Sequence, residues 1–303
     1  MDGFPPHGLG FLSNAHVRVS IGNTKLVTTK TTAVLSGLSE NHVLMSPFDR
    51  TFAVGKLDLE LLPSGHIPGA ASLFVRWENG HFLYTGPINP KCGVDLEPCG
   101  MRRSDVLITE SRYGHPDFVF PEDREEVLGS LVEKCKFYLE RDVTPVLFVS
   151  TPLGKAQELA DRFFLKSIPV YAHRKIANGS IKLRKLGIFK GTPKRLNPSK
   201  PSQGVVLWLS GSHKAPTLSN LKNKHTILVS GEAVHQQAAR RLGAEESVVL
   251  SDHADFPSLI KYVEGVGAKR IALLPGRAHS FIDHLNKRNR KIEILEPKQL
   301  SMF

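Results

Sequence analysis

Six short stretches of this sequence place a histidine or an acid beside an apolar run, or a glycine–proline turn at its end. Imidazole and carboxylate side chains are the groups that hold hydrolytic metals or move protons. The stretches are "LSNAHVRVS" (Leu12 to Ser20) with His16, "GHIPGAAS" (Gly65 to Ser72) with His66, and "YTGPINP" (Tyr84 to Pro90). They continue with "ITESRYG" (Ile108 to Gly114) carrying Glu110, "VVLSDHADF" (Val248 to Phe256) carrying Asp252 and His253, and "LLPGRAHSF" (Leu273 to Phe281) carrying His279. Loops at strand ends are where catalytic groups gather. Singly each stretch is weak, because a lone histidine after a strand is more often structural than a ligand. The first has the spacing of a metal-binding loop but holds Arg18 and Val19 at two positions a ligand would need. Either the metal chemistry lies elsewhere, or the loop no longer performs it.

These groups have to be positioned by an α/β framework. Apolar runs that read as strands are "GKLDLELLPSG", "SLFVRW", "HFLYTG", "SDVLITE", "TPVLFVS", "GVVLWLS", "HTILVSG" and "KRIALLPG". Several pack Leu, Val and Ile without alternation, as strands covered on both faces do. "PEDREEVLGSLVEKCKFYLERD" opens with Pro and acids in its first turn and then sets Val127, Leu131, Val132, Cys135 and Leu139 at helical spacing. "PLGKAQELADRFF" and "PSLIKYVEGVG" each follow a strand as a helix. The alternation predicts a layered α/β fold with sites at strand ends. Residues 190–204, "KGTPKRLNPSKPSQG", read as a loop or linker. No internal repeat is present.

Composition narrows the class. The 303 residues are 41% hydrophobic and 23% charged, which describes a folded chain of one large or two moderate domains. No apolar run reaches membrane length, and "MDGFPPHGLG" is no secretory signal, so a cytoplasmic protein without a membrane partner is expected. Cys92, Cys99 and Cys135 form no CxxC pair, and reduced thiols are expected. The net charge of +11 is unevenly spread. Residues 162–231 hold fourteen Lys or Arg and no Asp or Glu, whereas residues 95–161 hold fourteen acids against eight Lys or Arg. A solvated face normally mixes signs, and an acid-free block makes a field that attracts polyanions. Nucleic acid is the expected partner. Lys166, Arg174, Lys175, Lys182, Arg184, Lys185, Lys190, Lys194 and Arg195 are its candidate contacts, with Phe189 the better candidate to stack a base and Trp208 read as core.

Taken together, the order and spacing of the six stretches resemble the β-CASP branch of the metallo-β-lactamase fold, the nucleases that process RNA and DNA ends. Within it they are most similar to the short prokaryotic members described as ligase-associated DNA exonucleases or mRNA 3′-end processing exonucleases. The resemblance runs from about Phe11 to about His284 and is strongest in "GHIPGAAS", "CGVDLEPCGMRRSDVLITESRYGHPDFVFP" and "VVLSDHADFPSLI". It implies a metallo-β-lactamase-like αββα sandwich over residues 1–114 and 232–303. Residues 115–231 would form an inserted β-CASP-like α/β lobe containing the acid-free block. The family carries further strands before its first motif, so part of a sheet edge is expected to be missing or otherwise supplied.

The resemblance also implies two zinc ions, which generate a bridging hydroxide and clamp the phosphoryl oxygens. Carried over residue by residue, the family's His-x-His-x-Asp-His motif falls on Asn14, His16, Arg18 and Val19. The histidine of the Gly-His turn is His66. The bridging aspartate position is Pro87, and the late histidine position is Pro275. The first metal would keep His16 and His66 of its four protein ligands, and the second none. Arg18 would repel a cation. Glu110, Asp252 and His253 match motifs that support the family's site, as packing residues or as remnants of catalysis; His279 is a more distant substitute ligand.

Three readings follow. The first is a catalytically inactive nuclease-like protein that expects no cofactor and binds RNA or DNA, or serves as a subunit beside active protein partners. In it Arg18, with His16, His66 and His253, would hold phosphodiesters rather than cut them. The second is a zinc- or other metal-dependent nuclease with a rearranged site. The third is a structural protein whose basic block meets an acidic protein surface. Metal content separates the second from the others, and salt-dependent nucleic-acid binding separates the first from the third.

Overall fold

The computed structural model describes residues 2, 7–19, 23–197, 203–287 and 290–295. The middle of the expected loop at 190–204, residues 198–202, lies outside them. The chain divides into two compact units. The first comprises residues 1–92, 97–119 and 253–303, and the second residues 93–96 and 120–252.

The first unit begins with β1 (His7–Phe11), β2 (Asn23–Thr28), α1 (Lys30–Ser36) and β3 (Val43–Met45). These strands form a three-stranded parallel sheet in the order β1-β2-β3. Then follow β4 (Thr51–Val54), β5 (Leu57–Pro63), β6 (Ala71–Trp77), β7 (Gly80–Tyr84) and β8 (Val106–Thr109). The period-2 alternation of a strand sends neighbouring residues to opposite faces. Here both faces are apolar: Leu61, Leu73 and Tyr84 pack with Phe11 and Val27 of the small sheet, while Leu62, Phe74 and Leu83 face the other way. That explains why these strands read as continuous hydrophobic runs.

The second unit holds α2 (Arg124–Leu139), β9 (Thr144–Val149), α3 (Lys155–Leu165), β10 (Val170–Ala172), α4 (Arg174–Lys185) and β11 (Lys194–Arg195). It continues with β12 (Val205–Leu209), α5 (Pro216–Ser219), β13 (Lys224–Val229), α6 (Gln236–Leu242) and β14 (Glu246–Val248). All pairings are parallel, in the order β11-β10-β12-β9-β13-β14. Helices α2, α3 and α4 bury Leu131, Phe163 and Ile176 on one face; Leu218 of α5 and Ala239 of α6 cover the other. Because β14 pairs with β13, this unit extends to Asp252, beyond the Gly231 boundary expected from the sequence.

The chain returns to the first unit with α7 (Phe256–Val266), β15 (Arg270–Leu273), α8 (Ala278–His284) and β16 (Lys291–Ile294). The large sheet runs β16-β15-β8-β7-β6-β5-β4. Leu259, Tyr262 and Val263 of α7 and Phe281 of α8 pack on its outer face, and Ala33 of α1 packs with Leu26 of the small sheet. The layers are helix, sheet, sheet, helix: the αββα sandwich expected. Among the described residues no helix is long and apolar enough to cross a membrane.

Candidate functional site

Loops at the ends of β1, β5, β7 and β8, and the turn entering α7, are stitched together by main-chain hydrogen bonds. The amide of Ala71 donates to the carbonyl of Ser13 (2.8 Å), that of Asn89 to Ser64 (2.9 Å), and that of Ala254 to Ile88 (2.7 Å). Such close backbone approach needs glycine at two places. Gly65 has φ +69°, and a Cβ there would lie 2.3 Å from the carbonyl oxygen of Asn89; one at Gly86, φ +58°, would lie 2.8 Å from Ser13 Oγ.

On this platform stand three imidazoles. His66 is buried, with its ring centroid 4.5 Å from that of His253 and 5.4 Å from that of His16. The Nδ1 of His253 lies 2.8 Å from Glu110 Oε2, while Glu110 Oε1 accepts from the amide of Ile88 at 2.6 Å. Both carboxylate oxygens are therefore engaged. The pairing puts the His253 proton on Nδ1 and makes Nε2 its basic nitrogen. Tyr113, which sequence reasoning passed over, sets its ring edge-on to His253 with centroids 6.1 Å apart. Its position in "ITESRYG" was the available signal.

Asn14 is buried and faces its own loop. Its Oδ1 accepts from the amide of His16 (2.9 Å) and its Nδ2 donates to Ser13 Oγ (2.8 Å), an Asx turn that presents His16. Ser13 in turn donates through Oγ (2.6 Å) and its amide (2.8 Å) to the carboxylate of Asp2, which also accepts from the Tyr84 hydroxyl. Burial and this carboxylate push the Tyr84 phenol well above its ordinary value. Arg18 is exposed on the same loop, and His279 is exposed on the first turn of α8.

Asp252 belongs to the second unit. Its Oδ1 accepts from the amide of Lys155 (2.9 Å) and its Oδ2 from Lys155 Nζ (3.1 Å), with Arg124 3.6 Å away. Arg124 also pairs with Glu158. Lys155, Glu158 and Asp252 are all buried, and a buried charge persists where it is paired. That gives Asp252 an architectural role, holding the strand-to-helix step of β9 and α3.

The donor set does not match a two-metal centre. Among the described residues no group of three or more His, Cys, Asp or Glu is placed to hold a metal ion. Pro87 offers no side-chain donor where the resemblance puts a bridging carboxylate, and Glu110 is already shared between an amide and an imidazole. Burial pushes the thiols of Cys99 and Cys135 up to about 12, so they stay protonated, and no disulfide links the three cysteines.

No family model matches the chain. Among curated proteins, a "Probable DNA ligase" of Opitutus terrae is 28% identical over 295 residues, 95% of this chain and 29% of that one. An "RNase J-like protein" of Methanocaldococcus jannaschii is 23% identical over 75% of this chain and 65% of its own length. The "Cleavage and polyadenylation specificity factor 73" of Drosophila melanogaster is 35% identical over 121 residues, 36% of this chain and 17% of that one. The chain is similar to proteins of the metallo-β-lactamase/β-CASP nuclease family, as the resemblance implied. It spans less than a third of the first of these relatives and about two thirds of the second.

In the β-CASP-like unit, the expected cations gather around α4 and the sheet edge. Arg174, Lys175, Arg184 and Lys185 are exposed on α4, with Lys182 half-buried; Lys194 and Arg195 are the exposed edge strand β11, and Lys166 and Lys190 are exposed in the adjoining loops. Phe189, expected to be available for stacking, is instead buried. Asp161 accepts from the amides of Lys190 (2.7 Å) and Gly191 (2.6 Å), which ties the loop down and turns Phe189 inward. Trp208 is core, its indole N–H donating to the Ser212 carbonyl at 3.0 Å.

Proposed function

We propose that this protein binds single-stranded RNA or DNA through the cation-bearing edge of its β-CASP-like unit and does so without a two-metal hydrolytic centre. It would then act as a non-catalytic member of a nucleic-acid processing assembly. The observation that supports a site without hydrolysis is the ligand set: Arg18, Val19, Pro87 and Pro275 stand where the resemblance puts metal ligands, with Pro87 at the bridging position. The acid-free block supports the choice of partner, as do the names of the relatives, which are a ligase, an RNase-like protein and a cleavage factor. In the histidine cluster, the imidazoles of His16 and His66, with Arg18 nearby in sequence, supply donors suited to a phosphodiester oxygen.

The test is fluorescence anisotropy of a labelled single strand at several salt concentrations with a chelator present. Phosphate-dominated binding to single strands gives a log–log salt slope of about −0.7 per neutralised phosphate. The reading expects a steep slope that Arg18→Ala reduces by about one contact. An Arg18→Ala protein with unchanged affinity and slope removes Arg18 from the site, and no binding at low salt refutes the reading. A second reading, a hydrolase on one rearranged metal, is favoured by the retained histidine cluster; it requires metal uptake and strand cleavage.

A further inference from the structure

Between the end of α3 and the strand pair β10–β11 the second unit opens a groove of about 440 Å³, lined in part by Phe164, Ile168, Pro169, Tyr171, Pro193 and Lys194. Phe164 is 52% exposed on the last turn of α3, which is unusual for a phenylalanine that could have joined Phe163 in the core. Tyr171 is half-buried, its body resting against the apolar cluster on the α5–α6 side of the sheet. The groove follows the sheet edge: among the described residues the two-residue β11 pairs with β10 alone, Lys194 opposite Tyr171.

The charged residue among those that line the groove is a lysine. Lys166 lies two residues past Phe164 and is exposed, Lys194 lines the groove and Arg195 follows it; the surrounding sequence from 162 to 231 carries no acid. Apolar walls with aromatic rings, edged by cations, suit a polyanion that also presents flat apolar faces. Single-stranded nucleic acid has both, since its bases are unstacked and every base has a π-face. A duplex hides those faces, and an acidic peptide has none at regular spacing.

We propose that this groove takes an unstacked base of a single-stranded nucleic acid against Phe164, with flanking phosphates on Lys166 and Lys194. The proposal rests on the nucleic-acid reading above and adds a base-dependent subsite to it. Phe164 replaces Phe189 as the stacking aromatic, and the sequence alone does not separate them, because both precede a basic residue within the same block.

The experiment compares an oligothymidylate with an abasic strand of the same length, each labelled, on the full chain and on Phe164→Ala. Phe164 is exposed, so its truncation leaves the core intact, and circular dichroism checks this. The expected result is that wild type prefers the base-bearing strand and that Phe164→Ala loses about tenfold on it while binding the abasic strand as before. Phe164→Trp provides a second readout, an indole emission that oligothymidylate quenches. Equal binding of both strands by wild type, or a Phe164→Ala protein unchanged on oligothymidylate, overturns the base subsite and leaves backbone binding standing. Failure to bind either strand overturns both readings. Competition by polyglutamate that depends equally on Phe164 assigns the groove to an acidic protein segment and overturns the proposal.

Discussion

At the scale of single residues, the site turns on how one carboxylate is shared. Glu110 is buried, and it accepts hydrogen bonds from the Ile88 amide and from His253. Replacing it with Gln keeps the shape but gives one oxygen and one NH₂ group. One of the two contacts then faces donor to donor. An unsatisfied buried donor costs about 1–3 kcal/mol, so Glu110→Gln should unfold at a lower temperature by that equivalent. The alternative that relieves the clash is a shift of the His253 proton from Nδ1 to Nε2, so that Nδ1 accepts from the side-chain amide, which imidazole nitrogen shifts in NMR report. A variant as stable as the parent, with the same tautomer, contradicts the pairing. His66, Glu110 and His253 were legible in the sequence because each stands in a distinctive ordered motif. Asn14 was legible only as a substitution at a ligand position; that its amide forms the Asx turn presenting His16 depends on where the loop turns. Phe189 was misread because the tie to Asp161 crosses from α3 to a loop, a contact no local pattern encodes.

At the scale of elements, the strands packed on both faces were readable as apolar runs, whereas β1 to β4, β10, β11 and β16 were missed. Those strands are short or lie at or near a sheet edge, so burial stamps little pattern on them. Helix α4 was missed inside the basic block because Asn178 and Gly179 interrupt it. Gly179 is there for packing, since a Cβ would lie 2.6 Å from Leu153 Cδ2. A separate clasp joins α2, β13 and β14. Glu246 accepts from Lys134 and from the Tyr138 hydroxyl, and the Tyr138 ring stacks on His225 with centroids 4.2 Å apart. Hydrogen bonding to Glu246 pushes the Tyr138 phenol up to about 12. Burial raises the Glu246 carboxyl, but the hydrogen bonds from Lys134 and Tyr138 and the nearby positive charge outweigh it and hold the group below its ordinary 4.5. A depressed carboxyl stabilises the fold above its unfolded value, and that contribution is lost as pH falls through the folded one. Glu246→Gln should therefore be less stable than the parent near neutral pH, and the gap in melting temperature should close as pH drops below 4.5. A gap that stays constant into the acid range contradicts this assignment.

At the scale of the molecule, one family architecture carries two different surfaces: a histidine cluster held by stitched loops in the first unit, and an acid-free, cation-bearing edge in the second. The charge asymmetry was fully visible in the sequence, because net charge needs no fold to be counted. The boundary at Asp252 was not, because β14 is three residues long and declares itself only by pairing with β13. The central claim is that these parts bind nucleic acid without the two-metal centre of the family. The most direct test is elemental mass spectrometry of the purified chain after incubation with zinc and manganese and removal of free ion. A site with Asn14, Arg18, Val19 and Pro275 at four ligand positions and Pro87 at the bridging one should retain less than about a tenth of an equivalent. Retention of about one or two equivalents, lost when His66 is replaced by Ala, would contradict the account and establish a working metal centre.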